Sequence, residues 1–129
     1  GRNTFEQALK FDEWPYGDKK VVVLTRKGIV VPEALRQTVS TSEESPKSLV
    51  ERLSAAGMRH LYIDGGQTIQ SFLEAGQISE LTITVIPILL GEGRPLFGPL
   101  RQDVHLAHIS THAYPFGFVQ SKYRVVCDA

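Results

Sequence analysis

Leu61-Tyr62-Ile63-Asp64-Gly65-Gly66-Gln67-Thr68-Ile69 is the stretch on which the reading of this 129-residue chain turns. Arg59 to Ile63, ending in its first three residues, reads as a strand. Asp64-Gly65-Gly66 breaks that strand. From Gln67 to Ala75, Ile69, Phe72 and Leu73 recur three and four apart, which predicts a helix with one apolar face and Gly76 as its stop. Two adjacent glycines remove the β-carbons where the backbone turns into the helix. Free amides there, at the positive end of the helix dipole, suit a phosphate. The same residues equally suit a tight strand-to-helix turn with no ligand.

Working outward, Ser45-Pro46 predicts another helix, with Ser as N-cap and Pro at the first helical position. Leu49, Val50 and Leu53 define its apolar face and Gly57 its end. Val21 to Thr25 is a β-branched run without period-two polarity, as expected of a strand covered on both faces. Gln37 to Ser40 is a candidate short strand. Gly1 to Phe11 predicts a short helix with Phe5, Ala8 and Leu9 on one face and Asn3 or Thr4 as its cap. Downstream, Leu81, Ile83 and Val85 alternate with Thr82 and Thr84, so Glu80 to Ile86 reads as a strand. Gly91 to Pro99 is a loop, and Val104 to Ser110 and Phe118 to Val126 are two final strands joined by a turn. Strand, helix, strand, helix, strand implies a mostly parallel sheet flanked by helices, and the last pair is expected to be antiparallel. No linker divides residues 1–129, so a single α/β domain is expected.

Composition narrows the partners. Lys plus Arg equals Asp plus Glu at 14 each, so nothing favours nucleic acid. The longest apolar run, Val85 to Leu90, is too short to cross a membrane. The single cysteine, Cys127, cannot form an internal disulfide, which suits a reducing, cytoplasmic setting. No G-x-x-x-x-G-K-[ST] loop or G-x-S-x-G elbow is present, and Pro95 blocks the helix that a Rossmann fingerprint at Gly91-Glu92-Gly93 requires. His105 and His108 would point to opposite faces of an extended segment, which argues against a shared metal with His112.

Ligands of open α/β sheets gather at strand carboxyl ends, which singles out Thr25-Arg26-Lys27-Gly28 beside the double glycine and the helix start Gly1-Arg2-Asn3-Thr4. Together with Phe72-Leu73, Ile78-Ser79-Glu80-Leu81, Pro87-Ile88-Leu89-Leu90-Gly91-Glu92-Gly93, Pro95-Leu96-Phe97 and Trp14-Pro15-Tyr16-Gly17, these segments resemble the reductase domain of bacterial riboflavin biosynthesis. That domain belongs to the dihydrofolate-reductase-like superfamily. The resemblance implies a mixed, mostly parallel central sheet and NADPH as cofactor. It implies that Arg2 and Thr4 bind phosphates, that Thr25 and Arg26 flank the adenosine 2′-phosphate with Leu24 also at the cofactor, and that Gly65, Gly66, Gln67, Thr68 and Ile69 line the pyrophosphate. A cis Gly65–Gly66 bond is also implied. Asp64 stands where many relatives carry Glu beside substrate and nicotinamide, which implies a catalytic position. Relatives carry a strand, a substrate-side loop and a helix ahead of the Gly-Arg-x-Thr motif, so a chain beginning inside that motif is expected to be a fragment.

The expected function is an NADPH-dependent reductase delivering hydride to a small heterocyclic or imine substrate of pyrimidine or pterin type. The alternative is an NADPH-binding or assembly module without turnover. A nucleotide-dependent transferase would need a base or metal pair that the sequence does not offer. Apolar residues on both faces of the last strand (Phe118, Val119, Tyr123, Val125 and Val126) are expected either to meet a second copy in a homodimer or to lie under the chain's own helices.

Overall fold

The computed structural model describes residues 1–127. In chain order the elements are α1 (Arg2–Leu9), β1 (Val21–Leu24), a 3-10 turn (Glu33–Leu35), β2 (Val39–Ser42), α2 (Pro46–Ala55), α3 (Gly66–Glu74), β3 (Glu80–Val85), β4 (Leu106–Ala113) and β5 (Val119–Val125).

β1 is covered on both faces, as its unbroken β-branched run requires. Val21 and Val23 pack with Phe5 of α1 and Val39 of β2, joined by Trp14 and Leu35. Val22 and Leu24 point the other way, onto Leu49 and Leu53 of α2 and Phe72 of α3. The sheet therefore divides the core into two clusters. β2 runs parallel to β1, with Val21 opposite Val39 and Leu24 opposite Ser42. It lies two residues later than Gln37 to Ser40, because the partner strand sets its limits.

α2 starts as predicted. Ser45 is the N-cap, its hydroxyl accepting from the Ser48 amide at 3.2 Å, and Pro46 opens the helix. Caps of this kind contribute about 1 kcal/mol. Gly57 at φ +90° turns the chain away from α2, and Gly76 at φ +68° does so after α3. α1 departs from expectation: neither Asn3 nor Thr4 caps it, and Gly1 occupies the cap position with no side-chain bond.

The expected strand from Arg59 to Ile63 is not formed. Leu61 and Ile63 pack onto the Leu49–Leu53–Phe72 cluster while His60 and Tyr62 face solvent, so the alternation is that of a strand. The hydrogen-bonded neighbour is what it lacks: no described residue pairs with this segment, and without a ladder an extended segment is not a strand. The parallel pair β1–β2 and the three-stranded sheet therefore remain separate.

In that second sheet β5 lies between β3 and β4 and is antiparallel to both. The expected antiparallel end of the chain is thus present. β4 starts and ends later than Val104 to Ser110, because pairing with β5 runs from Leu106 opposite Val125 to Ala113 opposite Val119, past a bulge between His108 and Ser110.

Candidate functional site

The double glycine sits where two helices begin. Gly65 takes φ +95°, ψ 132°, a conformation that L side chains rarely adopt, and α3 starts at Gly66. No cis peptide occurs among the described residues, so the expected cis Gly65–Gly66 bond is corrected to trans. The positive φ at Gly65 reverses the chain without it.

The start of α1 abuts this turn. A β-carbon on Gly65 would lie 2.7 Å from Thr4 Oγ1, and one on Gly1 would lie 3.3 Å from Thr68 Oγ1. Neither helix has a side-chain cap, in contrast to α2. The first intrahelical acceptors are taken by Phe5 N–H, which donates to Gly1 O, and by Ile69 N–H, which donates to Gly65 O. The amides of Arg2, Asn3 and Thr4, and those of Gly66, Gln67 and Thr68, have no acceptor among the described residues. Two positive dipole ends and two sets of unpaired donors thus meet at one corner. A β-carbon at Gly66 would meet nothing within 4 Å, so a ligand can approach the backbone there.

Of the other candidates, Arg2 is half-buried and lies 3.7 Å from Glu6 of its own helix. Gln67 is exposed, and Thr68 and Ile69 are half-buried. Leu24 turns its side chain into the core, which leaves only its main chain for a ligand. Thr25 closes a small turn, its hydroxyl donating to Lys27 O at 2.8 Å and accepting from Lys27 N–H at 3.1 Å. That turn carries Arg26 outward, exposed and without an ion pair among the described residues. The geometry thus brings Gly1, Thr4, Gly65 and Thr68 together. Thr25 and Arg26 stand at the carboxyl end of β1, and no hydrogen bond joins them to the glycine turn.

Asp64 is exposed, yet both of its oxygens are engaged. Oδ1 accepts from Gly65 N–H at 2.9 Å and Oδ2 accepts from the Tyr16 hydroxyl at 3.0 Å. Tyr16 is a functional candidate that the sequence reading missed. Trp14-Pro15-Tyr16-Gly17 stands out as a motif, but nothing local ties it to a residue 48 positions away. The phenol is held above its usual pKa, first by burial, then by its hydrogen bond to Asp64 and by the nearby charge. Trp14 Nε1, buried beside it, has no hydrogen-bond partner among the described residues. A concavity of about 550 Å³ lies elsewhere, between the end of α3 and the start of β4; its walls include Leu73, Leu81, Phe97, Leu100 and Val104, and none of the predicted site residues.

A parallel strand pair, an antiparallel three-stranded sheet and three helices, with a glycine turn at the meeting of two helix starts, define an α/β domain of the dihydrofolate-reductase-like class. Within that class the chain belongs to the RibD C-terminal domain family, which matches residues 9–119. A crystal structure of a protein described as a riboflavin biosynthesis protein, from Shewanella sp. PV-4, is 38% identical and superposes with a TM-score of 0.91, covering 98% of this chain and 72% of that one. A pyrimidine reductase-like protein of Corynebacterium diphtheriae shares the fold at 22% identity, with a TM-score of 0.62 over 83% of this chain and 50% of its own. The uncharacterized protein YwjB of Bacillus subtilis (strain 168) is 31% identical over 109 residues, which is 82% of this chain and 60% of that protein. The chain thus spans less than two thirds of that relative's length.

Proposed function

We propose that this chain binds NADPH at the corner where α1 and α3 begin and serves the transfer of hydride to a small heterocyclic or imine substrate, of pyrimidine or pterin type. The observation that carries the reading is the meeting of two uncapped helix starts, whose unpaired amides lie beside a turn open to solvent at Gly66. A diphosphate satisfies such donors and complements both dipoles. When bound, NADPH supplies the hydride. The chain's own part is to hold the phosphates with the amides of Arg2 to Thr4 and Gly66 to Thr68, to add charge from Arg2 and Arg26, and to set Asp64 at the edge of the turn. Membership of a family with a relative described as serving riboflavin biosynthesis supports the same chemistry.

Arg26 tests this reading. Hydrogen bonds to a charged group contribute about 1.5–3 kcal/mol, so Arg26→Ala is expected to weaken NADPH binding by about ten- to hundredfold while NADH affinity barely changes. Calorimetry with both nucleotides is the measurement. If the parent protein binds both equally, the 2′-phosphate assignment fails. If it binds neither, the binding-competent reductase reading fails as a whole.

We further propose a cytoplasmic homodimer with a small-molecule substrate and no nucleic-acid partner. Among the described residues no helix is long and apolar enough to cross a membrane. Apolar side chains gather where the end of β3 meets the β4–β5 turn: Val85, Ile88 and Phe116 are each more than 60% exposed, and Val119 of β5 is 39% exposed. Monomeric proteins rarely leave such patches bare, and a second copy would cover this one. Light scattering at two concentrations checks it, and a monomer mass at both would remove the dimer.

A further inference from the structure

Asp64 and Tyr16 belong to elements far apart in the chain, yet they close a ring of contacts around the glycine turn. Phe5 of α1 meets Trp14 edge-on at 5.9 Å, and Trp14 meets Tyr16 edge-on at 5.1 Å. Tyr16 donates to Asp64, Asp64 accepts from Gly65 N–H, and Gly65 packs against Thr4, which returns the path to α1. Phe5 is 4% exposed, so one side of the ring is anchored in the core. Asp64 itself is exposed, and an exposed carboxylate with no partner samples many rotamers. Here each oxygen accepts from a different donor, one local and one 48 positions away, with lone pairs still free for a substrate donor.

We propose that Tyr16 is a positioning residue for Asp64, carried on the loop between α1 and β1 and held there by Trp14. The inference rests on the reading of Asp64 as the group that faces substrate beside the cofactor. Asp is one methylene shorter than Glu, so the place of its carboxylate depends on what holds it. A phenol hydroxyl that donates to a carboxylate forms a charge-assisted bond, stronger than one between neutral groups. Tyr16 supplies that bond from outside the turn and α3.

The chain carries a single tryptophan, Trp14, beside the tyrosine in question. Tyrosinate absorbs where tryptophan emits, so ionisation of Tyr16 quenches Trp14. An alkaline titration of the ligand-free protein, followed by Trp14 emission, therefore reads the Tyr16–Asp64 contact directly. Circular dichroism at each pH separates the step from unfolding. Tyr62 is a further titratable group sharing the neighbourhood of the pair. In the parent protein the quenching step is expected above the ordinary tyrosine range. In Asp64→Asn the negative charge is gone, so the phenol ionises more easily and the step moves to lower pH. In Tyr16→Phe the step is lost, whereas in Tyr62→Phe it remains.

A step that stays in place in Asp64→Asn, or survives in Tyr16→Phe, overturns the inference. Asp64→Asn changes an exposed side chain, so the test does not depend on whether Tyr16→Phe folds. Repeating the titration with saturating NADPH separates this inference from the cofactor reading. Bound phosphates add negative charge beside the turn and are expected to move the step higher. A step that depends on Asp64 in a protein that shows no calorimetric NADPH binding overturns the cofactor reading, and with it the place of Asp64 beside a cofactor, while the hold of Tyr16 on the carboxylate stands.

Discussion

Phe72→Ala is expected to lower the unfolding free energy by about 3–5 kcal/mol, the range for truncating a buried aromatic side chain. Phe72 is 1% exposed and joins Leu49 and Leu53 of α2 in the cluster beneath β1. Met58, Leu61, Ile63 and Ile78 close around it. Removing the ring takes away apolar burial and leaves a cavity walled by three segments that are not free to collapse together. Small domains have only about 5–15 kcal/mol in hand, so the variant is expected near the edge of folding. Phe11 is the control. It is 62% exposed, and its replacement by Ala is expected to change stability by no more than about 0.5 kcal/mol. Urea unfolding of both variants measures the contrast. Equal shifts would mean that the core does not lie where these contacts place it.

Gly65→Ala has the second largest expected effect, and it acts in two ways. The backbone at φ +95° costs a non-glycine residue about 1–3 kcal/mol. The new β-carbon also falls 2.7 Å from Thr4 Oγ1, so Thr4 must change its χ1 rotamer or α1 must shift. The strain is expected to lower the unfolding midpoint and, by pushing α1 off the start of α3, to abolish measurable NADPH binding. Adding Thr4→Ala separates the two causes. It removes the close contact but not the backbone strain, so the double variant is expected to recover only part of the lost stability. Full recovery would mean that the positive φ is not required, and no recovery would mean that Thr4 does not touch the turn.

These two sites differ in kind. Phe72 secures the platform, and Gly65 shapes what stands on it. The family match spans residues 9–119 and so leaves Arg2 and Thr4 outside it. What brings α1 beside the proposed site is its approach to the glycine turn, where a β-carbon on Gly65 would meet Thr4 Oγ1.

Local chemistry made several features legible. The Ser45-Pro46 start, the reversals at Gly57 and Gly76, and the apolar faces of α2 and α3 follow from steric preferences and helical spacing within a few residues. The two-sided burial of β1 followed from its lack of polar alternation. The glycine turn was legible as a candidate for the same reason, since two residues without β-carbons before an amphipathic helix leave amides free. Arg59 to Ile63 shows the limit of that reasoning. Its side chains alternate as a strand's do, but a ladder requires a neighbour, and no described residue supplies one.

What the amino-acid sequence determined by itself was the identity of most of the elements, the ends of the two later helices, and the place of one glycine turn, because each depends on forces acting over one or two turns of chain. The tertiary structure alone decided that two helix starts share a corner, that β5 sits between β3 and β4, and that Tyr16 reaches Asp64 across 48 positions. Such contacts depend on how distant segments pack over a common core, and short-range periodicity carries no record of that.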